Sequence, residues 1–248
     1  MSSVSVGTDS NLIVALRNLN TVLSLRADGG GLQWVLSSSA LARSNFTFER
    51  DADRFFDPHS ARQLADGRLL LLDVGNDRPG CVADLDYKGC FSRAVIYSLN
   101  FTTRVAKIDW QFEAPYKLDA VDAAEWAPDV AAEIAHWMTM THDFFNWDGG
   151  SVERLDSGYI QVAFTSELPV RAANANFSMH VWEVDERARV RSMLAIPHAS
   201  GSYKAQGGYR AVPLETLQGE STDAPAGFEQ PPWPTAPGLS EAELELER

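Results

Sequence analysis

The chain has 248 residues, of which 45% are hydrophobic, enough to bury a core and too many for wholesale disorder. Its formal net charge is −13, and residues 214–248, with eight acids and one base, carry about half of it. The sequence therefore lacks the concentrated Lys and Arg that nucleic acid or an anionic membrane surface demands. No run approaches the roughly 18 consecutive apolar residues of a membrane helix, and residues 1–10 lack the basic and apolar regions of a signal peptide.

The first predicted strands are NLIVALR, NTVLSL and LQWVL, separated by Asn18-Leu19 and by ADGGG. This unit has no convincing fourth strand, and the chain opens directly on the polar start of a strand, SSVSVGTDSNLIVAL. A second unit runs SARQL, the turn Asp66-Gly67, RLLLLD, then SRAVIYSL, the turn NFTT and RVAKIDWQF. A third runs GGSVERL, DSG, YIQVAF, SMHVWEV, DERA and RVRSMLAI. β-Branched and aromatic residues interrupted by turns favour strand over helix in every run.

Repeated four-stranded antiparallel units are the signature of propeller blades, with a β-sandwich as the competing architecture. The predicted fold class is all-β: a partial β-propeller of about three blades over residues 1–213. Residues 124–138, AEWAPDVAAEIAHWM, are alanine-rich with Pro128 near a first turn and predict a short inserted helix. Residues 214–248 form a Pro-rich acidic tail that cannot bury enough apolar surface to order itself. A propeller closes with roughly four to eight blades, so about three leave open edges. Either blades are missing before Met1, or the chain assembles with another, self-association through open blade edges included.

Cys81 and Cys90 are the only cysteines and lie in one polar loop, GCVADLDYKGCF. Two cysteines cannot supply a structural zinc site; a local disulfide and two free thiols are the readings open to them. The sequons at Asn45, Asn100 and Asn176 lean toward the secretory pathway, where a disulfide persists. No metal or cofactor is expected. There is no GxxxxGK[ST] phosphate loop and no G-x-S-x-G elbow, and the run from Asp84 to Gly89 lacks the distal glutamate of a calcium loop.

The chemistry-bearing segments are residues 15–25, ALRNLNTVLSL, and residues 55–76, FFDPHSARQLADGRLLLLDVGN. His59 stands at the mouth of a strand, and Arg17 ends a preceding one, so an imidazole and a guanidinium could meet around one anionic group. These segments resemble the arylsulfotransferase family, and the resemblance extends over most of the ordered chain through HDFFNWDGGSVERLDSGYIQVAFTS. Where the family usually reads Gln-His-Asp-Ala, Pro58 stands for the Gln and Ser60 for the Asp, and the following strand ends Asp73-Val74-Gly75-Asn76. The family's His-X-Asn element would fall at or before Met1, which suggests an N-terminally shortened chain.

The resemblance implies a six-bladed propeller that passes a sulfuryl group from a phenolic sulfate ester to a phenol, through a sulfohistidine and without a nucleotide donor. His59 matches the nucleophile and Arg17 the arginine of the sulfate pocket. A neutral imidazole is a good nucleophile at physiological pH, and a guanidinium grips two oxygens at once. His142 opens the third unit as His59 opens the second and is a candidate substrate-binding residue. His136, His180 and His198 are assigned to packing or solvent, and Tyr203 and Tyr209 to core filling or aromatic stacking. The alternative function is a non-catalytic propeller used as a binding scaffold.

Overall fold

The computed structural model describes residues 2–81, 90–113, 149–164, 177–197 and 211. They form thirteen strands and two 3-10 turns, with no α-helix among the described residues. Nor, among them, is any helix long and apolar enough to cross a membrane. The inserted helix expected at 124–138 lies outside the described residues. The chain divides into Met1–Pro213 and Leu214–Arg248, and the second unit lies wholly outside them.

Strands β1 (Ser3–Val6), β2 (Leu12–Leu16), β3 (Thr21–Leu25) and β4 (Leu32–Ser37) pair antiparallel in sequence order. The first unit therefore does have a fourth strand: Ser3 to Val6 pair with Ala15 to Leu12, correcting the expectation that it lacked one. In the second sheet, β6 (Pro58–Gln63), β7 (Leu69–Asp73), β8 (Arg93–Asn100) and β9 (Val105–Glu113) pair in the same way. The two-residue β5 (Thr47–Phe48) joins β9 in parallel. The third sheet repeats the pattern with β10 (Ser151–Arg154), β11 (Ile160–Phe164), β12 (Phe177–Val184) and β13 (Val190–Pro197). Each sheet is an open row of strands; none closes on itself.

The second sheet is the middle layer, and its sequence shows why. Leu69, Leu70, Leu71 and Leu72 are all fully buried, without the apolar–polar alternation of a strand that has one wet face. Leu69 and Leu71, with Val95 and Tyr97 opposite them, pack against Ile13, Val22, Trp34 and Leu36 of the first sheet. Leu70 and Leu72, with Ile96 and Ala94 opposite them, pack against Val152, Val162, Phe164 and Trp182 of the third. Each such leucine contributes about 1.5–3 kcal/mol of burial.

The hairpin ends repeat one device. Asp28, Asp66 and Asp185 each turn a carboxylate back to accept backbone N–H groups, from Gly30, from Arg68, and from Arg187 and Arg189 respectively. An arginine a few residues away pairs with each: Arg26, Arg68, and Arg189 with Arg191. This is the Asx chemistry that makes aspartate a turn residue.

Neighbouring sheets are also joined at their first strands by serines. Ser60 Oγ accepts the Val152 N–H at 3.1 Å and donates to the Val152 carbonyl at 3.2 Å, linking β6 to β10. Ser151 does the same to Ala211. On the other side, Ser3 Oγ accepts the Ala61 N–H and Ser5 Oγ donates to the Ala61 carbonyl, linking β1 to β6. A first strand has one free backbone edge, and a short hydroxyl satisfies the next strand's N–H and C=O across it.

Ser60 should be the most telling of these bridges. It also has φ of 50° and begins a bulge in which Ser60 and Ala61 together face Leu71. Ser60→Ala should cost about 1–3 kcal/mol in urea unfolding, because a buried N–H and C=O lose their partner. Ser60→Gly should cost less, since glycine relieves the left-handed strain while losing the same bridge. Wild-type stability in both variants would show that the bridge carries no load.

Candidate functional site

The candidate site gathers at the entry to β6. The chain reaches it through two left-handed residues from different sheets. Asn20 (φ 47°) ends the 3-10 turn η1 (Arg17–Leu19) that follows β2, and Asp57 (φ 52°) precedes Pro58. Proline disfavours the right-handed helical region for the residue before it, and Asp and Asn are the non-glycine residues that best tolerate the left-handed one. The two meet directly: the Asp57 N–H donates to Asn20 Oδ1 at 2.6 Å. Ser2 Oγ donates to the Pro58 carbonyl at 2.7 Å, adding a second contact, from the residue just before β1.

Arg17 therefore sits in a 3-10 turn rather than on the strand expected to end with it. Its Nε is 4.0 Å from Asp57 Oδ1, and its side chain is 24% exposed against 7% for Asp57. The turn brings Arg17 to a residue only two positions before His59. An anion bound by Arg17 must share the guanidinium with Asp57, which sequence reasoning did not single out. His59 is opposite Leu72 in the ladder and 2% exposed, so its imidazole belongs to the buried layer rather than to an open surface.

Behind this entry lies a buried ionic cluster. Asp73, the last residue of β7, is fully buried, and its Oδ2 accepts Nη2 of Arg78 at 2.6 Å and Nε of Arg93 at 2.8 Å. Its other oxygen accepts the Phe56 N–H at 2.8 Å. Arg93 Nη2 also donates to the carbonyls of Ala52 and Arg54, and Arg78 Nη1 to that of Arg54 at 3.4 Å. One carboxylate and two guanidinium groups thus fix the backbone leading into His59. Burial works against the charge of Arg93, but Asp73, together with Tyr97 and Glu113, more than offsets it and the pKa is raised.

Gly75 holds the cluster together from below. Its φ is +90°, and a Cβ there would stand 2.2 Å from the Phe91 carbonyl oxygen. Its N–H donates to the Phe56 carbonyl at 2.8 Å. The sequence marks Asp73 by ending an all-leucine strand on a charge. Nothing local marks Arg78 and Arg93 as buried, because arginines in loops and at strand starts are ordinarily solvated.

Cys81 and Cys90 form a disulfide, with Cα atoms 4.3 Å apart. Asn45 and Asn100 are exposed. Asn45 Oδ1 accepts the Val35 N–H, and Asn100 Oδ1 accepts those of Thr102 and Thr103. His180 is fully buried and stacks on Trp182 with ring centroids 5.9 Å apart. His142, Asn176, His136, His198, Tyr203, Tyr209 and the run from Asp84 to Gly89 lie outside the described residues.

No protein-family model matches the chain, and no curated protein matches it. A solved structure described as a protein of unknown function from Bacteroides caccae is similar at a TM-score of 0.42 and 13% identity, over 78% of this chain. The chain spans 48% of that protein's length.

Tyr97 gives this region a pH signature. Burial, and then the Asp73 carboxylate, push its phenol well above the ordinary value near 10, and its hydroxyl donates to the Asp53 carbonyl at 2.5 Å. A phenol that ionises more readily unfolded than folded contributes stability that is intact below about pH 10 and lost as pH rises above it. Urea unfolding should therefore show stability falling above pH 10, and Tyr97→Phe should flatten that fall while costing about 1 kcal/mol at pH 7. An unchanged alkaline slope in the variant would contradict the assignment.

Proposed function

We propose that the chain is part of a β-propeller of the arylsulfotransferase type, which moves a sulfuryl group between phenols by way of His59. The observation that carries the reading is the convergence at the β6 entry. Arg17, from the turn after β2, reaches within 4.0 Å of Asp57, two residues from His59. The propeller part is supported by the run of four consecutive antiparallel strands in each of the three sheets and by the serine bridges from β1 to β6, from β6 to β10 and from β10 to Ala211.

The chemistry balances as two displacements at sulfur. An imidazole nitrogen of His59 attacks the sulfur of a phenolic sulfate ester, an N–S bond forms, and the S–O bond to the leaving phenolate breaks. An acceptor phenol then attacks the same sulfur through oxygen, and a new S–O bond forms as the N–S bond breaks to return the neutral imidazole. The phenol's proton passes through solvent to balance the one taken up by the departed phenolate. Arg17 stabilises the charge that develops on the peripheral oxygens, which a planar guanidinium can hold in pairs. The Cys81–Cys90 disulfide and the exposed sequons at Asn45 and Asn100 support a setting in the secretory pathway or outside the cell. His142 is retained as a substrate-binding candidate for the same site.

A second reading, a non-catalytic propeller scaffold, is favoured by one observation: His59 is only 2% exposed. Mixing the protein with nitrophenyl sulfate and no acceptor separates the two. The enzyme gives a burst of nitrophenol and a sulfuryl mass on the peptide containing His59, both lost in His59→Ala. Arg17→Lys should slow the burst about 100- to 1000-fold, the usual loss for one such donor. No burst and no modified histidine would leave the scaffold.

A further inference from the structure

We propose that Arg78 is a positioning residue for His59, and that the Cys81–Cys90 disulfide holds Arg78 in place, so that the seating of the His59 segment depends on the redox state of that disulfide. Its functional meaning rests on the reading of His59 as the nucleophile, but the contacts themselves do not.

The path is short and made of named contacts. Arg78 is 8% exposed. Two turns run from Gly75 to Cys81, the Arg78 N–H donating to the Gly75 carbonyl at 3.1 Å and the Cys81 N–H to the Arg78 carbonyl at 2.9 Å. The disulfide ties Cys81 to Cys90, and the next residue, Phe91, lies under the Arg78 guanidinium at 3.9 Å from ring centroid to Cζ. Phe56 lies on the guanidinium too, at 5.3 Å. From there Arg78 grips Asp73, and Asp73 holds the Phe56 N–H three residues before His59. The far side of the loop is pinned independently, since Ser92 Oγ donates to the Val74 carbonyl at 2.6 Å.

Cleaving the disulfide therefore acts on one end of this path. A dithiol supplies two electrons and two protons, the S–S bond opens to two thiols, and the dithiol closes to its own disulfide. Residues 78–81 are then joined to Cys90 and Phe91, just before β8, only by the intervening chain and by non-covalent contacts. Arg78 loses its fixed seat over Phe91. Arg93 continues to neutralise Asp73, so the effect is a loosening of residues 54–58 and not a collapse of the sheet.

The test reads the imidazole and needs no sulfate ester. Oxidised protein is treated with diethyl pyrocarbonate and the rate of modification at His59 is followed by peptide mass spectrometry, with the buried His180 as an internal control. Reduction, or Cys81→Ala with Cys90→Ala, should raise the His59 rate on the order of tenfold and leave His180 unchanged, the mark of local rather than global opening. Arg78→Met in oxidised protein should give the same rise, and reduction of that variant should add nothing, because both changes break one path. Arg78→Lys should restore part of the protection, since an ammonium still pairs with Asp73. An unchanged His59 rate on reduction, equal rises at His59 and His180, or effects of reduction and Arg78→Met that multiply would overturn the proposal. Should reduction unfold the chain, the two Arg78 variants in oxidised protein decide it alone: equal rates for Lys and Met, or no rise for Met, reject it. Failure of sulfuryl transfer with these rates as expected would remove the enzyme reading and keep the positioning contact.

Discussion

Burial of both faces of the middle sheet is the constraint on which the rest of the structure depends. The four leucines of β7 divide their side chains between two neighbouring layers, so neither the first nor the third sheet can be displaced without exposing two of them. Strand β7, buried on both sides, has no free face on which to build a site, whereas β9 toward the outer side of that sheet keeps exposed positions at Lys107, Asp109 and Gln111. Polar chemistry is driven to strand ends, first strands and connecting turns, where backbone groups still need partners. The β6 entry is such a place, and it collects contacts from the first sheet through Asn20 and Ser2, from β7 through Asp73, and from β10 through Ser60.

The Asp73 cluster shows what this arrangement does with charge. Buried ion pairs are poor evidence of net stabilisation, because desolvation can cancel the Coulombic gain, whereas removing one partner leaves an uncompensated charge. The role argued for Asp73 is geometric. It sets where residues 54–58 run relative to β7, and so where His59 enters the ladder, while Gly75 provides the space that any side chain would fill. Arg17 belongs to a different network, through Asp57. The two networks meet on the same few residues of backbone.

Much of the architecture is legible in the chain because most strands keep one simple face. In β11, Ile160, Val162 and Phe164 go to the core while Gln161 does not, and Asp66-Gly67 and the DERA run mark their hairpins plainly. What escapes local reading has physical causes. SSVSV is a strand because its hydroxyls bridge to β6, a tertiary reason that a polar run cannot announce. β5 is two residues long and exists only because β9 offers an edge. Arg17 reads as a strand-end cation because its partner, Asp57, is 40 positions away in the sequence and comes near only through the left-handed turn at Asn20. Arg78 and Arg93 look like surface arginines until the carboxylate and aromatic rings that accept them are brought together.

The central claim, that the second sheet is a middle layer gripped from both sides, can be tested on backbone amides without reference to function. Native-state hydrogen exchange across a urea series should find the amides of Leu70 to Leu72 and of Val95 and Ile96 exchanging last, and only by global unfolding, with β1–β2 and β10–β11 opening at lower free energy. Amides of β7 that exchange as early as those of β1 would contradict the account.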